Sequence, residues 1–158
     1  IKTEVNFKDG KVIRWFDTGQ KRSELITKNN KQYSIMWHKN GNKKFEGSKI
    51  NLKKDGKETE WYENGKKRFE GNYINGSRDG KFVNWNESGK KTFEGIYLND
   101  VSVNETNSSY WSNGQKRTER NSKDGKLDGN FIKWNENGKI IIKSIYKENI
   151  CISGDCAK

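Results

Sequence analysis

Several residue types are scarce in this chain of 158 residues: it has no proline, one histidine, one methionine and two cysteines. With one histidine and two cysteines, few metal sites are possible, and any Ser-His-Asp arrangement would have to use that one histidine. No apolar run approaches the roughly 18 residues of a membrane-spanning helix. We therefore expect no enzyme activity, no cofactor, no bound metal and no transmembrane segment.

Aliphatic side chains are also few, and basic ones are in excess. Leu, Ile, Val and Phe make up 30 of the 158 residues, and the net charge is +11. That composition alone is typical of disordered chains. However, six Trp and six Tyr are present, and burial of one aromatic side chain removes about 150–250 Å² from water. Their regular placement favours a folded chain.

One motif occurs six times. It reads WYENGKKRFEGNY from residue 61 and WNESGKKTFEGIY from residue 85, and successive copies start 22, 24, 24, 25 and 24 residues apart. A fixed period of this length is typical of repeat arrays, in which each unit buries its apolar face against its neighbours. The first residues of the copies form what we call the aromatic row: Trp15, Trp37, Trp61, Trp85, Tyr110 and Trp134.

Each unit contains two turn signals around short alternating segments, a pattern that predicts β-hairpins. The first signal is an Asp-Gly pair, which we expect to be the turn that opens the unit, at residues 55–56, 79–80 and 128–129. The second turn is predicted to hold a left-handed glycine, at Gly19, Gly41, Gly65, Gly89, Gly114 and Gly138. The predicted fold is all-β: an elongated, twisted, single-layer antiparallel meander over residues 1–147, followed by a tail at 148–158.

The register of a hairpin can be argued from its second turn. A three-residue turn pairs Trp61 with Lys67 and Thr59 with Phe69. We therefore expect the Trp, Phe and Tyr rows to share one face, with polar residues on the other. Each lysine at the position of Lys67 would then lie across from the tryptophan of its own hairpin, and its stem would rest on that ring.

The motif W-x-E-N-G-K-K-x-F-E-G-x-Y, with D-G-K before the tryptophan, resembles the bacterial variant of the MORN repeat over roughly residues 5 to 146. The resemblance implies a meandering hairpin sheet and a non-enzymatic binding or scaffolding role, and such proteins often carry an antitoxin label. The fifth unit departs from the pattern, with Tyr110 for Trp, Arg120 for Gly and no Asp-Gly pair within 98–109. We expect irregular pairing there.

The sixth unit replaces the basic stretch with three isoleucines at 140–142. We expect it to cap the array, with its outer edge protected from aggregation by lysines. These lysines are Lys139, Lys143 and Lys147.

Cations recur directly after the second turns, in a set that we call the basic stripe: Lys21, Arg22, Lys43, Lys44, Lys67, Arg68, Lys91, Lys116 and Arg117. A row of cations every ~10 Å is typical of a track for phosphate groups, as in nucleic acid or anionic lipid. We expect a structural surface instead, because glutamates recur beside the stripe, at Glu24, Glu46, Glu70, Glu94 and Glu119. Of the possible anions, nucleic acid is the least favoured. The register also brings Glu60 beside Arg68, and it places Arg14 beside Arg22 as a like-charged pair.

The two cysteines, Cys151 and Cys156, lie in the tail, close enough for a small disulfide-closed loop. The alternative is two free thiols. A zinc half-site is disfavoured, because the only histidine, His38, is far away in the sequence. We expect His38 to be a solvated surface residue.

Three functions remain open. The first is a scaffold for protein–protein interaction, binding another protein or itself, exported to the periplasm or cell surface of a bacterium. The second is an intracellular antitoxin-like protein that neutralises a toxin by contact, and the third is a binder of anionic lipid or another polyanion. The chain begins at Ile1, so we expect an upstream segment. A cleaved signal there would favour the first function and a bare Met start the second.

Overall fold

The computed structural model describes residues 3–6 and 10–156, and in these ranges every regular element is a β-strand. The strands are β1 (Thr3–Asn6), β2 (Lys11–Trp15), β3 (Lys21–Lys28), β4 (Lys31–Trp37), β5 (Lys43–Ile50), β6 (Lys53–Lys54), β7 (Gly56–Trp61), β8 (Lys67–Ile74), β9 (Ser77–Arg78), β10 (Gly80–Trp85), β11 (Lys91–Leu98), β12 (Val101–Tyr110), β13 (Lys116–Lys123), β14 (Lys126–Trp134), β15 (Ile140–Lys147) and β16 (Ile150–Gly154). Across the described ranges, no helix is long and apolar enough to span a membrane.

All sixteen strands belong to one antiparallel sheet, in which the long strands lie side by side in chain order from β1 to β16. The two shortest strands are exceptions, since β6 pairs only with β5 and β9 only with β8. Consecutive strands pair because each short turn returns the chain directly beside the strand it has just left. The predicted all-β hairpin meander is confirmed.

The second turn of each unit has the predicted three-residue form. In the third unit, Tyr62 donates its N–H to the carbonyl of Lys66 over 2.9 Å, and Gly65 donates to the carbonyl of Tyr62 over 3.0 Å. All six predicted glycines are left-handed, with φ between 79° and 88°. This confirms the predicted turn chemistry.

The prediction of an Asp-Gly turn at the start of each unit is wrong. The turns lie four residues earlier, and both residues of each have positive φ, as in Asn51-Leu52, Asn75-Gly76 and Asp124-Gly125. Two left-handed residues give a turn whose twist matches that of the strands. The Asp-Gly pair instead shapes the strand that follows: Asp55 donates its N–H to the carbonyl of Ser48 over 3.0 Å, and Gly56 begins β7 with φ 93°.

A β-bulge decides which side chains share a face. Trp61 pairs with Lys67 as predicted, but Glu60 pairs with Phe69, so Arg68 is an extra residue in β8. An equivalent shift occurs in all six units, just before the aromatic row. The bulge reverses the alternation of side chains. The predicted Thr59–Phe69 pair is therefore wrong, and so is the shared aromatic face.

We call the two sides of the sheet the Trp face, which holds the aromatic row, and the Phe face, which holds Phe69, Gly71 and Tyr73. The Phe face has a small core around Phe82, which is 3% exposed. The ring centroids of Tyr73 and Tyr97 each lie 5.2 Å from that of Phe82, and the centroid of Phe69 lies 5.9 Å away. Neighbouring rings therefore cover one another across adjacent units.

The fifth unit keeps its pairing, because β12 is a continuous ten-residue strand paired with both β11 and β13. Its irregularity is a shift in register. Phe69 pairs with Asn84, one residue before the aromatic row, whereas Phe93 pairs with Asn107, three residues before Tyr110. At the other end of the sheet, β16 extends the sheet beyond β15. The sixth unit is therefore not the outer edge, contrary to expectation.

Candidate interaction surfaces

The aromatic row and the lysines of the basic stripe alternate across the Trp face. Lys67 pairs with Trp61 in its own hairpin, but its ammonium lies over the ring of Trp85 in the next unit, 5.8 Å from the centroid. The predicted stacking on a lysine's own tryptophan is wrong, because β8 lies between β7 and β10 and the side chain reaches toward β10. Three other lysines repeat the contact at 5.6–5.7 Å, in the pairs Lys21–Trp37, Lys43–Trp61 and Lys116–Trp134.

The same lysines are bound by the glutamates that recur beside the basic stripe, a set that we call the glutamate row. Lys67 Nζ lies 2.6 Å from Glu70 Oε2, and Lys57 Nζ lies 3.1 Å from the same oxygen. The bulge makes this possible, since it turns residues three apart onto one face. The hydrogen bond from Lys67, together with that from Lys57, holds the pKa of Glu70 below its ordinary value. All five units that contain the glutamate have the pair: Lys21–Glu24, Lys43–Glu46, Lys67–Glu70, Lys91–Glu94 and Lys116–Glu119.

The ion pairs between lysines and glutamates make the basic stripe less suitable as a track for phosphate groups. Each of its lysines on the Trp face, which are Lys21, Lys43, Lys67, Lys91 and Lys116, already has a carboxylate within 2.5–2.8 Å. A phosphate group would have to compete with that carboxylate. The Trp face therefore fits the alternative of a structural surface better than it fits a track for anions.

Side chains at the second turns connect neighbouring units. Tyr62 donates its hydroxyl to the carbonyl of Trp85 over 2.8 Å, and Nε2 of His38 lies 2.9 Å from the carbonyl of Trp61. The His38 side chain is only 12% exposed, so the prediction of a solvated histidine is wrong. The period of the motif contained the signal for this role, because His38 occupies the same position as Tyr62.

The remaining cations of the basic stripe lie on the opposite side of the sheet from the five lysines that pair with glutamates; they are Arg22, Lys44, Arg68 and Arg117. Arg68 forms the predicted pair with Glu60, with Nη2 and Oε2 2.9 Å apart. Arg117 instead stacks over Trp111, 4.7 Å from the ring centroid, and Arg22 lies 5.9 Å from the centroid of Phe16. The bulge thus splits the basic stripe, and its second members turn toward the Phe face.

Two adjoining clefts on the Phe face form what we call the Phe-face groove. The first, of about 810 Å³, lies between the first and second units and is lined in part by Arg14, Phe16, Arg22, Met36 and Lys44. The second, of about 600 Å³, lies between the second and third units and is lined in part by Met36, His38, Lys44, Glu60, Tyr62 and Arg68. Because Met36 and Lys44 line both clefts, the two clefts adjoin and together extend over three units.

The cysteines lie at the last strand, away from the Phe-face groove. Cys151 and Cys156 are joined by a disulfide, with Cα atoms 5.7 Å apart. Cys151 is part of β16, so the bridge closes the end of this edge strand. Within residues 3–6 and 10–156, no three His, Cys, Asp or Glu side chains are grouped so that they would hold a metal ion.

The sequence profile of the MORN repeat variant matches residues 54–75 and 127–148. Two units of the array are MORN repeat variants. Repeats of this family are non-enzymatic and are generally associated with scaffolds for protein or membrane-lipid interaction. The other four units share the bulge before the aromatic row and the left-handed glycine of the second turn.

Among solved structures, the chain is similar to the crystal structure of TarM, with 11% sequence identity and a TM-score of 0.29. The likeness covers 77% of this chain and 21% of that one. At that TM-score it has no bearing on fold or function. No curated protein matches the chain.

Proposed function

We propose that this MORN-variant array is a non-enzymatic scaffold that binds a protein partner through the Phe-face groove. The observation that supports this function best is the pair of adjoining clefts that extends over the first three units. At its centre lies Met36, a large apolar side chain that is 42% exposed. An exposed apolar residue in a concave surface bordered by polar side chains is typical of an interaction site.

The composition of the groove separates the two faces of the sheet. On the Trp face, the stripe lysines are engaged by glutamates and most of them also cover aromatic rings. The Phe-face groove instead presents Met36, Phe16, Tyr62 and several arginines. Methionine, aromatic residues and arginine are the types enriched at protein interfaces. The Phe face is therefore the better surface for a partner.

The proposal includes an exported location at the bacterial envelope. It is supported by the disulfide between Cys151 and Cys156, because structural disulfides persist mainly in oxidising compartments. Fractionation of the native host, combined with thiol labelling of the isolated protein, tests this location. Recovery in the cytoplasm with two reactive thiols would contradict it.

Site-specific photocrosslinking in the native host tests the partner-binding role. The photoreactive phenylalanine analogue benzoylphenylalanine replaces Met36 on the Phe face or, as a control, Tyr33, which lies on the Trp face. Their exposed fractions are similar, at 42% and 46%. We expect a discrete crosslinked protein from position 36 and none from position 33. Equal yields from both positions, or no product from position 36, would count against the proposed function.

A further inference from the structure

We infer that the first cleft of the Phe-face groove binds an acidic segment of a partner protein. The inference rests on the proposed function and adds the chemistry of the ligand. We call the site the cationic cleft and define it by the side chains that recognise the segment: Arg14, Phe16, Arg22, Met36 and Lys44.

One position of the repeat distinguishes the cationic cleft from its neighbour. In the third unit this position is Glu60, whose carboxylate lies 2.9 Å from Arg68, the extra residue of the bulge. The corresponding residues of the first and second units are Arg14 and Met36, each directly before the aromatic row. The first two units therefore lack the carboxylate that neutralises the bulge cation in the third.

The cations of the cleft are unpaired as a result. Among the residues that the structure describes, neither Arg14 nor Arg22 nor Lys44 forms an ion pair, and all three are exposed. Like charges gathered in one place are unfavourable for folding. A cluster of exposed cations that opposes folding, with no carboxylate paired to it in the described ranges, is best explained by a ligand of opposite charge.

The balance of charge in the first cleft is strongly positive. Lys39 adds a fourth cation to its lining, and Asp17 is the one carboxylate among the described residues that line it. Arginine presents planar, paired N–H donors that match the two oxygens of a carboxylate. Phe16 and Met36 supply apolar contact beside them. The cleft thus suits a carboxylate on a segment that also carries apolar side chains.

The second cleft explains why the ligand is a peptide segment and not a polyanion. Its lining includes Glu60, Glu63 and Glu87. A nucleic acid or an anionic glycan that continued along the groove would bring its regular charges against these carboxylates. A protein segment is acidic over a few residues only and becomes neutral or basic beyond them. Such a segment matches a groove that is basic at one end and mixed at the other.

The charge reversal Arg14→Glu is the decisive variant, because it copies the Glu60–Arg68 arrangement of the third unit into the first. We expect it to keep or raise the free energy of unfolding, so that lost binding does not reflect lost folding. The matched control is Lys28→Glu, which changes the net charge equally. Lys28 is exposed at the end of β3 and has no ion pair in the described part of the chain.

The probe is a fluorescein-labelled peptide of alternating glutamate and phenylalanine, compared with the same peptide carrying glutamine. Fluorescence anisotropy at about 50 mM salt, where charge effects are weakly screened, measures both affinities. We expect the acidic peptide to bind at least about tenfold more tightly than the glutamine peptide, a difference of roughly 1.4 kcal/mol. Arg14→Glu should remove this difference, and Lys28→Glu should retain it.

Equal binding of the two peptides, or full binding by the Arg14→Glu variant, would overturn the inference. So would binding of phosphatidylglycerol vesicles or an oligonucleotide that depends on Arg14 while the acidic peptide fails to bind. The photocrosslink at Met36 separates the two proposals. If it persists in the Arg14→Glu variant, the groove still binds a partner but the acidic segment is wrong. If it never forms, the proposed function itself fails.

Discussion

Lys67 joins two units of the array, because it pairs with Trp61 in its own hairpin while its ammonium lies over the ring of Trp85 in the next, 5.8 Å from the centroid. The same ammonium lies 2.6 Å from Glu70 Oε2. An exposed cation–π contact contributes about 0.5–1 kcal/mol, and an exposed ion pair about 0.2–1 kcal/mol. We expect Lys67→Gln to lower the free energy of unfolding by roughly 0.5–2 kcal/mol, measured by urea denaturation.

A double-mutant cycle isolates the contact between units. Trp85→Leu removes the ring, and the double variant Lys67→Gln/Trp85→Leu completes the cycle. We expect the two single effects to sum to more than the double effect by about 0.5 kcal/mol or more. Lys28→Gln, at an exposed site with no ion pair in the described ranges, should stay within about 0.5 kcal/mol of the parent chain. Strict additivity at Lys67 and Trp85 would show that the contact does not stabilise the array.

The glutamate row makes stability depend on pH. Hydrogen bonds from lysines lower the pKa of Glu24, Glu70 and Glu94, chiefly from Lys11, Lys67 and Lys81 in that order. A folded pKa below the unfolded value of about 4.3 means that the ionised carboxylate stabilises the fold above that pH. This contribution is lost as the pH falls through the folded pKa. We expect the urea midpoint to be steady from about pH 7 to 5 and to fall below about pH 4.

The triple variant Glu24→Gln, Glu70→Gln and Glu94→Gln tests the origin of that acid loss. It should be less stable than the parent chain at pH 7, because three ion-paired carboxylates are gone. Its stability should then change less between pH 5 and pH 3, since those three groups no longer titrate. An unchanged slope of stability against pH would assign the acid loss to other groups.

The repeat period and the chemistry of the second turn made much of this fold predictable from sequence. They specified the hairpins, the left-handed glycines and the pairing of Trp61 with Lys67. The bulge at Arg68 was not predictable, because an alternating sequence does not show where a strand takes in one extra residue. Because of that extra residue, the aromatic row lies on the opposite face of the sheet from Phe69 and its equivalents, and the basic stripe is divided between the two faces. The Phe-face groove depends on this division, so its location required the structure.

Gly71 and Phe82 offer a test of packing on the Phe face. A Cβ at Gly71 would lie 2.5 Å from Cδ1 of Phe82 and 2.9 Å from Cζ of Phe69. Phe82 is among the least exposed side chains of the described residues, so it has little room to move. Overpacking of a tight site costs about 1–3 kcal/mol. We expect Gly71→Ala to lower the free energy of unfolding by that amount, measured by urea denaturation.

Gly47 provides the matched comparison, since it occupies the same position one unit earlier. A Cβ there would also meet a phenylalanine, with Phe45 Cζ at 2.9 Å, but its next neighbour is Cγ of Glu58 at 3.5 Å in place of a second ring. Gly47→Ala should therefore cost clearly less than Gly71→Ala. A cost for Gly71→Ala no larger than that for Gly47→Ala would mean that the Phe82 ring adjusts freely and that the Phe face has no rigid core.

Among the described residues, Leu52 is the only one with an apolar side chain in the left-handed region, and the same position of two other units holds Gly76 and Gly125. Its φ is 66°, and its side chain is 80% exposed, so it gains almost no burial in return. The left-handed conformation costs a residue with a Cβ roughly 1–2 kcal/mol, whereas glycine adopts it freely but loses about 0.5–1 kcal/mol more backbone entropy on folding. We therefore expect Leu52→Gly to raise the free energy of unfolding by about 0.5–1 kcal/mol, the difference between these two effects.

The converse variant Gly76→Leu should lower the free energy of unfolding by a similar amount. No further clash adds to this cost, because a Cβ at Gly76 would meet only the Lys53 side chain, at 3.6 Å. Urea denaturation of both variants gives the two signs, and a loss of stability in Leu52→Gly would show that the turn depends on Leu52 for more than its backbone conformation.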